Sequence, residues 1–190
     1  MGRGVSNKTK KMTVSALLAA MGVALMFLGG LIETLDLTMA ALASFFCIFA
    51  VIEMGAGYSF AIYAVTGVLS LVLMPHSMVG WFYILFFGYY PILKEKIERI
   101  KSVLSWLIKL FVLNVSLIAS LFISSFIFYG GNMLEALTTS FGAEEWGIYA
   151  AIGVYVLLNV VFIVYDVALT RLITLYLFRI RHRLKFLNFK

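Results

Sequence analysis

The feature that most constrains this chain is a succession of long apolar runs with almost no charge inside them. A helix rises 1.5 Å per residue, so about 20 apolar residues cross the hydrocarbon core of a bilayer. Six runs qualify: Met12 to Ile32, Leu37 to about Met54, Ala56 to Met74, Met78 to Leu93, Val103 to Tyr129 and about Tyr149 to Phe178. Backbone N–H and C=O groups in hydrocarbon must bond within their own segment, which selects helices. The expected fold is therefore all-α: a polytopic membrane protein of six transmembrane helices. Of the 190 residues, 63% are hydrophobic and 13% charged. Soluble domains run to about 45–50% and about 25%. That excludes an ordinary cytosolic enzyme and a nucleic-acid binder, and Cys47, the one cysteine, excludes a disulfide scaffold.

The joints are legible. Glu33 to Asp36 interrupts the first pair of runs, Gly55-Ala56-Gly57 the second, and Pro75-His76-Ser77 the third. Lys94 to Ser102 reads as a charged link, and Gly130 to Gly147 as a long acidic outer loop. Residues 1–11 and 179–190 read as basic termini flanking a membrane domain over 12–178. With both termini cytoplasmic, Arg3, Lys8, Lys10, Lys11, the Lys94–Lys101 link and Arg179 to Lys190 all fall inside. Glu33, Asp36, Glu135, Glu144 and Glu145 fall outside. The net charge of +6 thus reports orientation by the positive-inside rule, in a multi-pass protein of the cell membrane, and lipid head groups suffice as partners for the basic tail. An apolar run of 21 residues followed by further spans is too long for a cleavable signal.

Ionisable groups within a span are costly and face a partner or a cavity. Lys109 lies about 9 Å and Asn114 about 16 Å into the fifth span. Arg171 lies about 9 Å and Asp166 about 16 Å into the sixth, with Asn159 deeper on the face of Asp166. These spans run antiparallel, so Asn114 is expected to meet Asp166, and Lys109 to reach up to it. Glu53, at the inner end of the second span, is a partner for Arg171 or Lys109. Two readings stand: a polar site for an ion, proton or transmitted motion, and a set of interhelical pairs that fix register. His76 and His182 fall on opposite sides, so no metal site is expected, and neither a cofactor nor an enzymatic motif is found.

Small residues recur every four positions in the first span, at Ala16, Ala20 and Ala24. They suit packing within the bundle or a docking face for another subunit. Gly57, Ala61, Ala64 and Gly67 form a similar stripe expected to pack internally. On the outer face, Trp81 and Tyr83 open the fourth span, while Asn132 and Trp146 flank the long loop. They suit membrane anchoring or the wall and lid of an outward pocket.

Size, topology and texture together resemble the substrate-binding S components of energy-coupling-factor transporters. In that family an Ala-x-x-x-Trp-like motif on the first helix docks the transmembrane coupling subunit. Ala16 to Ala20 and Ala20 to Ala24 supply the spacing, without the tryptophan. Phe86 to Lys94 and Asn159 to Asp166 are also similar to segments of small multi-span proteins of Gram-positive bacteria. The first resemblance implies a vitamin-like ligand captured from outside, with Glu33, Asp36 and the outer ends of the later spans at the pocket. It also implies an ATPase module as a partner. The rival reading is a non-transporting scaffold of an envelope-assembly or signalling complex. A third is an ion-coupled carrier built on Asp166.

Overall fold

The computed structural model describes residues 2–32, 35–75, 77–128, 130–132 and 147–180. Every regular element among them is helical: α1 (Gly2–Gly30), α2 (Asp36–Glu53), α3 (Ala56–Leu73), α4 (Met78–Phe82), a π-helical turn (Tyr83–Phe87), α5 (Tyr90–Ile97), α6 (Ser102–Phe128) and α7 (Gly147–Leu175), extended by a second π turn to Ile180. Five of these helices are long and apolar enough to cross a membrane. The run from Met78 to Leu93 is not a sixth such helix, because the π turn and the Gly88–Tyr89 turn split it into short pieces. Pro91, which has no N–H to donate, falls in the first turn of α5, where none is needed. At the other end of the chain's order, α1 shows no break at Met12 and carries the basic segment as helix from Gly2.

The described residues divide into two compact units at Trp106/Leu107, within α6. In the first unit α1, α2 and α3 pack together. The face that α1 turns inward is Ser15, Ala19, Gly22, Met26 and Gly29, a 4-3-4-3 spacing that keeps one stripe on one side. Gly22 admits Thr66, and Gly29 admits Met39, at distances a side chain would fill. The inward face of α3 is Ser59, Ile62, Thr66 and Ser70. Its hydroxyls find close acceptors: Ser59 donates to the Cys47 carbonyl at 2.8 Å, and Ser70 lies 3.5 Å from Met26 Sδ. The expected stripe on α3 is therefore divided. Gly67 is buried against Ile84, while Gly57 and Ala61 are exposed.

Between α2 and α3 the chain reverses at Gly55, whose φ of +96° suits a residue without Cβ. The segment from Met78 runs back along α3, with Gly80 beside Leu71 and Gly88 beside Tyr63. Along α1 the order runs with α3: Lys11 lies over the Tyr58 ring, Gly22 against Thr66, and Ser70 by Met26. These contacts place the Gly55 turn, the basic start of α1 and the Lys94–Lys101 link at one end of the unit. The first turn of α2 lies at the other end, because Gly29 meets both Met39 and Val79.

Lys94, the first residue of the expected charged link, is 1% exposed, and its Nζ lies 2.7 Å from Glu98 Oε1. The cause is helix phase. α5 continues through Ile97 and turns Tyr90, Lys94 and Ile97 to the same buried side, and Glu98 follows one turn later.

Candidate functional site

The second unit brings together Lys109 with Asp166 and Asn114 with Asn159. Lys109 on α6 and Asp166 on α7 form an ion pair at 2.9 Å, with side chains 5% and 3% exposed. Thr170 donates to the Asp166 carbonyl. Asn114 does not meet Asp166, as its depth suggested. Its amide Nδ2 donates to the Leu110 carbonyl at 2.8 Å and to Asn159 Oδ1 at 3.3 Å. Its Oδ1 accepts from the Tyr155 hydroxyl, and Asn159 donates back to the Tyr155 carbonyl at 3.0 Å.

The register explains the difference. Depths counted from the ends of the apolar runs put Lys109 level with Arg171 and Asn114 level with Asp166. Lys109 reaches up to Asp166, five positions earlier on α7 than the residue at its own counted depth, a displacement of about 7.5 Å. Short amide side chains require backbones at nearly the same height, so Asn114 against Asn159 reports the true alignment. The edges of apolar runs do not, because helices extend past the hydrocarbon by different amounts. Arg171 is exposed, and Glu53 is half-buried in the first unit. Tyr155, absent from the sequence-based set, closes the amide pair; its position four before Asn159, on the same helical face, was the available signal.

The residues assigned to an outward ligand site fare unequally. Glu33 and Trp146 lie outside the described residues. Asn132 is exposed beside Gly130 and Gly131, and Asp36 is half-buried at the start of α2. Tyr83 does not open to the outside: it is fully buried, with its hydroxyl 3.2 Å from Cys47 Sγ. Helix phase again turns it inward, onto α2 and α3. Trp81 is half-buried, and its indole N–H is enclosed with no acceptor.

Ala16, Ala20 and Ala24 are all exposed. They lie one position beyond the inward residues Ser15, Ala19 and near Gly22, so the helix presents them to its surroundings. The face of α1 that packs within the first unit is a different one. Among the described residues no three His, Cys, Asp or Glu converge as a metal site would require.

Comparison with protein-family models, with curated proteins and with solved structures gave no match.

Proposed function

We propose that this chain is the ligand-capturing membrane subunit of a small-molecule uptake system, of the energy-coupling-factor S-component kind. The observation that carries this reading is the indole N–H of Trp81, enclosed and without an acceptor at the end of the first unit that holds Asp36. An enclosed donor left unpaired costs about 1–3 kcal/mol, and a ligand carbonyl or carboxylate would recover it. The exposed Ala16–Ala20–Ala24 face supports a partner helix at close approach, as a coupling subunit would need. Energy from ATP would enter through that partner, since this chain has no phosphate loop.

The test has two arms on the purified chain. A panel of vitamin-like compounds is expected to include one that raises its melting temperature, and Trp81→Phe should abolish that shift while leaving the unliganded melting point within a few degrees. In the second arm, an ATPase module should co-purify with the native chain and be lost with Ala20→Leu. Gly22→Leu, one turn-phase away, should instead disrupt folding, because a Cβ at Gly22 already meets Thr66 Cγ2 at 3.0 Å. No stabilising compound, together with capture of an assembly protein and no ATPase, would replace this reading with the scaffold.

A further inference from the structure

The inward face of α1 continues to the level of the Gly55 turn. Stepping back from Ser15 by the same 4-3 spacing reaches Lys11 and then Lys8. Lys11 sits over the Tyr58 ring at 5.8 Å, so on a helix that runs with α3 Lys8, about one turn earlier, stands level with the Gly55 turn. Because α1 is helical from Gly2, the two lysines are held on a regular element beside the turn. At 29 residues α1 is about 43 Å long, against a hydrocarbon core of about 30 Å. The turn that joins two such spans, and the lysines beside it, therefore belong at head-group depth.

The same end of the unit receives further positive charge. The segment antiparallel to α3 brings the Lys94–Lys101 link to the level of Gly57. Within that link charge is partly cancelled: Lys94 pairs with Glu98 and Arg99 with Glu95, each at 2.7 Å. Lys96 and Lys101 are exposed and take part in neither pair. Lys8 is exposed as well, and Lys11 is stabilised by an aromatic face that leaves its ammonium hydrogens available. Positive charge that is rigid, at head-group depth and only partly compensated matches a phosphate-bearing anion.

We propose that Lys8 and Lys11, beside Tyr58 and the Gly55 turn, seat the head-group phosphate of an anionic phospholipid, with Lys96 and Lys101 enlarging the attractive field. The occupant is a lipid rather than a soluble phosphate because the site lies where head groups stand, and where their local concentration is highest. This assignment is independent of any ligand captured near Trp81.

Native mass spectrometry of the full chain in detergent tests it, with phosphatidylglycerol and phosphatidylcholine added at equal concentration. Phosphatidylglycerol adducts are expected about tenfold in excess. Lys8→Gln with Lys11→Gln should reduce that excess at least fivefold, and raised ionic strength should do the same. Lys10→Gln, on another face of α1, should leave it within twofold. Both variants change exposed or half-exposed helix positions, and circular dichroism of each confirms that the fold compared is the same. Equal binding of the two lipids, or an excess unchanged in the double variant, would overturn the proposal. Displacement of phosphatidylglycerol by an equal concentration of inorganic phosphate would reassign the site to a free anion and overturn the lipid.

Discussion

At the scale of single residues, the Lys109–Asp166 pair is the strongest constraint on the second unit. Removing one partner from a buried ion pair strands the other charge and costs about 3–5 kcal/mol, whereas replacing both with apolar residues of similar volume is often neutral or better. Asp166→Leu is therefore expected to destabilise the chain by about that amount, and Lys109→Met with Asp166→Leu to recover most of it. Equilibrium unfolding of the single and double variants in detergent measures the cycle. Recovery of stability with loss of ligand-dependent transport would assign the pair a working role; recovery of both leaves it a register device. Sequence spacing made this pair visible, because a lysine can reach several ångströms along a neighbouring helix. It misplaced Asn114, whose short side chain tolerates no such error and so records the alignment that α6 and α7 adopt.

At the scale of elements, the segment from Met78 to Ile97 departs most from its sequence. Its apolar content alone reads as a spanning helix. Its backbone turns through a π-helical stretch instead, closed by the bond from Gly88 N–H to the Tyr83 carbonyl at 2.7 Å. π turns loosen carbonyl pairing, and here Tyr63 of α3 donates its hydroxyl to the Ile84 carbonyl at 3.0 Å. Gly88 lets the Tyr63 ring sit against the backbone, where any Cβ would collide with it and with Tyr83. Tyr63→Phe is expected to lower stability by about 1–3 kcal/mol by leaving that carbonyl unpaired. Gly88→Ala should cost about 1–3 kcal/mol by overpacking. Thermal unfolding followed by circular dichroism checks both, and a Gly88→Ala chain as stable as the parent would show that the rings do not hold the turn. Neither Tyr63 nor Gly88 is marked by local propensity. Their pairing joins residues 25 apart on different elements, so only packing reveals it.

At the scale of the whole molecule, the charged ends of the helices are what a topology measurement can tell apart. In the first unit the basic start of α1, the Gly55 turn and the Lys94–Lys101 link share one end, and the first turn of α2 has the other. Single cysteines placed at Lys8, Gly57 and Lys101, in a Cys47→Ser background, are thus expected to react with an impermeant maleimide from the same side of sealed vesicles. A cysteine at Thr38 should react from the opposite side. Labelling of Gly57→Cys and Lys8→Cys from different sides would contradict this arrangement. The background is suitable because Cys47 is the chain's one cysteine and is buried.

Amino-acid order alone determined that this chain is helical, with runs long and apolar enough to cross a bilayer. Apolar runs of this length satisfy their backbone in hydrocarbon by folding as helices. It also determined most helix limits: the expected bounds of the second, third and fifth runs agree with α2, α3 and α6 to within about two residues, as terminal assignments allow. Tertiary structure decided which face of each helix is inward. Ala16, Ala20 and Ala24 offered a helical stripe of small residues just as Ser15, Ala19 and Gly22 do, and in a sequence apolar on every side periodicity does not choose between them. The choice came from fit: Gly22 and Gly29 admit Thr66 and Met39. Lys94 was buried and Tyr83 drawn into the core for the same reason, since a helix turns its residues by phase and close packing selects the phase.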